Sequence, residues 1–163
     1  MRGPGSGVGE GIVAIPGLKG VSHVSINVSD MDRSKDWYRD VLGWEELFDE
    51  HLAGEDFETI TGTPGAEGRA SGGRIGDLRV ELMSFNYTPA VLPGNGLGLR
   101  VLSLEVSDAD EAHTAMRDLG VTCVTAPVDL HGTRMFFIVD PDGQGIEVVE
   151  YVAGGPAWGG AYR

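Results

Sequence analysis

The chain alternates short runs of two hydrophobic periods. Over 21–28, Val24, Ile26 and Val28 fall on one side of an extended strand, and His23, Ser25 and Asn27 on the other. The period then turns helical from Met31 to Val41, with Trp37, Tyr38 and Val41 on the apolar side. Ser29-Asp30 supplies a cap before that helix, and Gly43 a stop after it. A strand is predicted over 45–52. Residues 53–66 (AGEDFETITGTPGA) break the alternation, with one helical turn at 56–61 and a Thr-Pro-Gly turn. Strands over 67–75 and 79–85 follow, joined by a Gly76-Asp77 hairpin turn. On the second of these Val80, Leu82 and Ser84 share one face, and Arg79, Glu81, Met83 and Phe85 the other.

After a stretch rich in Pro and Gly (NYTPAVLPGNGLG, 86–98) the same order returns. It predicts a strand at 99–106, a helix at 109–118, a short strand at 121–125, a strand at 132–139, a DPDG turn at 140–143 and a strand at 145–151. The return is also literal. At a constant offset of 78, Ser25/Ser103, Val28/Val106, Ser29/Ser107, Asp30/Asp108, Asp32/Asp110, Arg39/Arg117 and Asp40/Asp118 match without a gap. One supersecondary module is used twice. The expected fold class is α+β, with tandem βαβββ modules at 19–87 and 99–152 joined by a linker at 88–98. A loose arm at 1–18, with a strand-like piece at 12–15, and a loose tail at 153–163 flank them. Helices would cover the apolar sheet faces, and the polar faces would enclose a cleft. A fully closed apolar core would not place His23, Glu81 and Glu147 at inward positions of strand centres.

Composition narrows the partners. Net charge is −13, from 25 acidic and 12 basic residues, which argues against nucleic acid or an anionic membrane. No apolar run is long enough to span a bilayer, and the N-terminus lacks the charged start and apolar stretch of a signal peptide. A cytoplasmic protein acting on a small molecule is the expectation. The single cysteine, Cys123, rules out an internal disulfide framework and reads as a small buried hydrophobe. No phosphate loop, dinucleotide fingerprint, nucleophile elbow or paired CxxC occurs.

HVSINVSDMDRSKDWYRDVLGWE resembles the opening of proteins in the vicinal oxygen chelate superfamily, the glyoxalase/bleomycin-resistance/extradiol-dioxygenase group. TGTPGA…RIGDLRVELMSF resembles its middle, and DPDGQGIEVVEY its closing hairpin. The likeness covers roughly residues 19–152 and implies a glyoxalase-like fold; it does not by itself choose a reaction. Metal-binding relatives draw ligands from the first and last strands of each module. Those positions here are His23, Glu81, Val101 and Glu147, three of which can bind metal. Superfamily dioxygenases and fosfomycin-modifying transferases want His where Val101 stands. Glyoxalase I and methylmalonyl-CoA epimerase use Glu or Gln on the fourth strand, which Glu81 matches. The resemblance therefore implies proton abstraction beside a carbonyl, with Glu147 as base, Glu81 next, and His23 as fixed ligand. Homodimers are common among such relatives, so a homodimer is expected.

The chemistry of the residues agrees. One imidazole with two carboxylates suits Zn, Ni, Co, Mn or Fe(II), and three protein ligands leave positions open. Taken singly, His23 also reads as a sheet histidine, and Glu147 as a partner for Arg79 or Arg134. His131 is a candidate substrate contact or proton shuttle, or an exposed loop histidine. Phe57, Phe85, Phe137 and Tyr151 are candidate substrate-binding aromatics, with 53–66 as lid or wall. His51 and His113 read as surface, and Asp140 and Asp142 as turn formers. Two alternatives stay open: a drug- or metabolite-sequestering protein of the bleomycin-resistance type, and a metal-free cyclase or isomerase of secondary metabolism.

Overall fold

The computed structural model describes residues 21–88, 101–130 and 132–151. The expected arm, linker and tail, and His131, lie outside those residues, apart from residue 88. In chain order the elements are β1 (Val24–Asn27), α1 (Met31–Leu42), β2 (Glu45–Leu52), α2 (Glu55–Thr61), β3 (Gly68–Ile75), β4 (Leu78–Phe85), β5 (Leu102–Glu105), α3 (Ala109–Asp118), β6 (Val128–Leu130), β7 (Thr133–Val139) and β8 (Gly145–Tyr151). Two four-stranded mixed sheets result, ordered β1-β4-β3-β2 and β5-β8-β7-β6. In each, the first strand runs parallel to the last and the other pairings are antiparallel. The α+β modules predicted from the repeat are present.

One strand is displaced. The apolar run VTCV predicts a strand at 121–125, but only an isolated bridge, Cys123 to Ile138, forms there. The outer strand β6 lies further on, at 128–130, where Val128 and Leu130 pair with Met135 and Thr133. Local hydrophobicity favoured the earlier run; tertiary packing instead uses Val121 as a core plug and leaves β6 to supply the edge.

Local chemistry explains the helices. Asp30 and Asp108, repeat equivalents, both cap: each carboxylate accepts from the amide three residues on, at Arg33 and Glu111. Gly43 takes a left-handed φ of 66°, its amide bonding Arg39 and that of Trp44 reaching back to Tyr38. This is a left-handed termination that a side chain with a Cβ would strain.

Each sheet buries the face turned to its helix. Val80, Leu82, Tyr38, Trp44 and Met31 form one core, and Phe136, Ile138, Ile146, Val148 and Val121 the other. Trp37 and Leu42 of α1 pack against both, so this helix joins the modules. The DPDG turn of module two seals the joint. Asp142 accepts from the Ser29 amide at 2.9 Å and from its hydroxyl, and pairs with Arg33 at 2.7 Å. Asp140, buried, accepts from the Tyr38 hydroxyl at 3.0 Å. These aspartates therefore do more than form a turn, a role visible only once the second module docks. Among the described residues no helix is long and apolar enough to cross a membrane.

Two stability predictions follow from this packing. The Ser34 hydroxyl is fully buried without a partner among the described residues. Ser34→Ala removes an unsatisfied group and improves helix propensity, so it should stabilise by about 1 kcal/mol in urea unfolding. Burial alone would raise the Asp142 carboxyl, but the Ser29 and Arg33 hydrogen bonds more than offset that and hold it below the usual carboxylate range. A carboxyl depressed in the folded state contributes stability above its unfolded pKa and loses it as pH falls through the folded value. Urea midpoints should therefore fall between about pH 5 and about pH 2, and Asp142→Asn should flatten that slope while lowering stability at neutrality.

Candidate active site on the polar sheet faces

Register places the site residues. In the parallel pair β1–β4, Ser25 lies beside Glu81, and in β5–β8 Ser103 lies beside Glu147. Both serines then donate to their glutamates: Ser25 Oγ to Glu81 Oε2 at 3.0 Å, Ser103 Oγ to Glu147 Oε2 at 2.6 Å. The repeat therefore builds the same Ser–Glu dyad twice. The serines are visible in the sequence as repeat matches, yet nothing in the pattern showed that they hold the glutamates; only the strand partnership does.

Module one adds an imidazole. His23 Nε2 lies 3.7 Å from Glu81 Oε2, and its Nδ1 is 3.0 Å from the Ser22 hydroxyl. The Ser22 contact turns Nε2 toward the carboxylate, the arrangement in which one ring nitrogen is oriented through the other. The Glu81 side chain is 22% exposed and that of His23 47%, so the pair sits at an open surface rather than in the core. In module two Val101, half-buried, stands at the matching position. Glu147 belongs to the other sheet, and among the described residues no three His, Cys, Asp or Glu side chains gather as a metal site. Within one chain, then, His23 and Glu81 come together and Glu147 stays with Ser103.

An aromatic ledge flanks Glu81. Gly72 is the cross-strand partner of Glu81, and a Cβ there would meet the Phe48 ring at 2.1 Å. Directly paired residues share a face, so Phe48 lies over the floor beside Glu81. Gly68 is the partner of Phe85, and a Cβ there would meet Phe57 at 2.9 Å. The Phe57 and Phe85 rings stack at 6.1 Å with 12° between planes, and Tyr87 leans on Phe85 at 5.1 Å. Phe57 and Phe85 are thus brought together, Phe57 carried by α2 within the 53–66 segment. The ledge also takes in Phe48 and Tyr87, which the strand and helix periods do not single out. A signal for Phe48 existed in the glycines of β3, which clear a floor for rings on both faces.

Phe137 lies directly across from Glu147 on β7, and Tyr151 ends the same β8 strand, two alternations from Glu147 and on its face. Arg134 is not a partner of Glu147. It sits one position out of phase, on the helix side, and pairs with Asp110 and Asp129 at 2.7 and 2.9 Å. His51 is exposed, 3.7 Å from Glu67. His113, expected at the surface, is half-buried, its ring edge-on to Phe136 at 5.1 Å. Cys123 packs at the margin of the second core, where burial pushes its thiol up against the opposing pull of Arg117. Behind the first sheet, Lys35 bonds Asp49 and Glu46, and Arg69 bonds Asp49 and Asp32. Hydrogen bonds from Arg69 and Lys35 hold the Asp49 carboxyl far below its usual range.

With this geometry established, the comparisons with known proteins agree on class. Residues 20–148 match the model of the Glyoxalase/Bleomycin resistance protein/Dioxygenase superfamily, and the chain belongs to that family. It is 31% identical over 137 residues to YaeR, an uncharacterized protein of Escherichia coli, covering 82% of this chain and 98% of that protein. It is 30% identical over 130 residues to a probable lactoylglutathione lyase of Synechocystis sp., covering 78% and 92%. A glyoxalase family protein from Bacillus cereus superposes with a TM-score of 0.71 at 23% identity, over 83% of this chain and 96% of that one. The Listeria monocytogenes fosfomycin resistance protein FosX, solved with Mn(II) and sulfate, shares the fold with a TM-score of 0.53 at 16% identity, over 82% and 93%.

The two neighbouring glycines of β3 separate site from scaffold. At Gly73 a Cβ would meet the buried Trp44 indole at 2.3 Å and the Glu45 carbonyl oxygen at 2.5 Å. Gly73→Ala should therefore cost about 1–3 kcal/mol of stability. The Phe48 ring over Gly72 is 43% exposed and free to swing away. Gly72→Ala should cost less in a denaturation series while shifting Phe48 resonances, a difference readable by NMR.

Proposed function

We propose that the protein is a divalent-metal-dependent lyase or isomerase that removes a proton next to the carbonyl of a small molecule. The observation that carries this reading is the His23–Glu81 pair, with its supporting serines and aromatic ledge. Two metal–ligand bonds of about 2.1 Å span at most about 4.2 Å, so donor atoms 3.7 Å apart fit two positions on one ion. Zn, Ni, Co, Mn or Fe(II) bound there would act as a Lewis acid on the substrate carbonyl. The Mn(II) of the distantly related FosX structure is compatible with such a centre in this fold.

His23 serves as the fixed ligand, its ring set by Ser22, and Glu81 as the second. Glu147 is the base. Ser103 binds its Oε2, which leaves Oε1 to take the proton from carbon. With Val101 rather than an imidazole at the matching position, this carboxylate is reserved for proton transfer rather than tied to a ligand set. Glu147 would reach the pair from a second copy in a homodimer. Large apolar side chains exposed on the outer strands, Leu47 and Phe48 on β2 and Val128 and Leu130 on β6, support such an assembly. The stacked Phe57 and Phe85 would hold the apolar part of the substrate, and Phe137 and Tyr151 would face it from the other sheet.

The stacked aromatic ledge and the acidity also suit the second reading, a protein that sequesters a cationic or aromatic drug without catalysis. Elemental analysis of the purified protein separates the two: a stoichiometric transition metal supports the enzyme, and none supports the binder. In a metal titration Ser25→Ala should weaken binding about tenfold, and His23→Ala more. Proton-exchange NMR across 2-oxo and thioester compounds should show solvent deuterium entering beside the carbonyl, and Glu147→Gln should stop it. No exchange in either panel would sink the lyase or isomerase reading.

A further inference from the structure

Arg79 stands out among the cations. Arg33, Arg39, Arg69, Arg74 and Arg134 each pair with a carboxylate. Among the described residues Arg79 makes no ion pair, and neither does Arg117, which lies on the remote helix α3 beside Cys123. The register of β3 and β4 is unbroken from Arg74↔Arg79 through Gly72↔Glu81, so Arg79 lies on the face of Glu81, two residues before it. Two strand residues span about 6.6 Å. The parallel register Val24↔Val80, continued one residue back, sets His23 across from Arg79. Arg79 thus borders the His23–Glu81 pair.

Among the described residues its charge is unanswered. The residue directly opposite is Arg74, and like charges facing each other across a ladder are unfavourable. Arg74 is neutralised by Glu45 at 2.6 Å; among the described residues Arg79 has no such partner. In a chain of net charge −13, an anion approaching Glu81 meets a repulsive field. One uncompensated guanidinium at the border of the site answers that repulsion locally, and its planar fork suits a carboxylate or a phosphate with two parallel hydrogen bonds. The other end of β4 carries Met83 and Phe85 with its stacked ring, so the face grades from cationic, through the His23–Glu81 pair, to apolar.

We propose that Arg79 is the anion-holding residue of this site, and that the carbonyl compound it serves carries a carboxylate or phosphate group; this rests on the function proposed above. The substrate lies along β4, its anionic end on Arg79, its carbonyl at His23 and Glu81, and its apolar remainder toward Phe85.

The test uses three probes: hydroxyacetone as the neutral ketone, 2-oxobutyrate as the carboxylate and dihydroxyacetone phosphate as the phosphate. Each is titrated by ligand-observed NMR and followed for solvent deuterium exchange, with wild type, Arg79→Gln and Arg79→Lys. Arg79 is exposed, so the variants should fold as wild type does. One or both anionic ketones should bind at least about tenfold tighter than hydroxyacetone. Arg79→Gln should erase that preference without changing hydroxyacetone binding, and Arg79→Lys should restore part of it. The better of the two anionic probes tells carboxylate from phosphate. A wild type without anion preference, or an Arg79→Gln protein that keeps it, overturns the proposal. Anion preference that depends on Arg79 but comes with no exchange of any probe supports Arg79 and counts against proton abstraction. Exchange of hydroxyacetone without any anion preference does the reverse.

Discussion

The parallel ladder between the first and last strand of each module is the constraint on which the rest depends. A parallel neighbour cannot be reached by a tight turn, so the chain must cross over, and α1 and α3 are those crossovers. The helix covers one sheet face and buries it. The opposite face is left polar, and the same ladder sets a serine of the first strand beside a glutamate of the last. The pairing that closes each module also brings its serine to its glutamate. A slip of β4 by one residue in that pairing would turn Glu81 toward the core and expose Val80 and Leu82.

The two copies are alike in backbone and unlike in chemistry. Each has an aspartate-capped helix and a Ser–Glu dyad, yet module one has His23 where module two has Val101. Module one also has α2 and the Phe57–Phe85 stack, for which module two has no described counterpart. The two modules therefore share a scaffold but differ in the groups they place on its polar face. The joint is also one-sided. Asp142 of the module-two turn clasps Ser29 and Arg33, and α1 lends Trp37 and Leu42 to both cores. Movement of one sheet relative to the other would have to break buried contacts around Tyr38 and Asp140.

Much of this was legible in the residues. The 78-residue echo gave two βαβββ modules, and α1, α3, β2 and β8 lie where the periodicity placed them, because long amphipathic segments with caps carry their own signal. Local pattern failed at β6, where the apolar VTCV run was recruited to the core while a more polar segment took the sheet edge. It failed again at Asp140 and Asp142, whose turn chemistry is sufficient in isolation and hides their role at the joint.

By itself, then, the sequence determined the repeat, most of the secondary elements, the family and the inventory of groups able to do chemistry, because each is written in local spacing. Tertiary structure alone decided which of those groups meet. It joined His23 to Glu81 and each glutamate to its serine, laid Phe48 over Gly72, turned Arg134 away from Glu147, and set Arg79 beside the His23–Glu81 pair with no ion pair among the described residues. Those relations depend on strand order and register between segments distant in sequence, which no short-range pattern encodes.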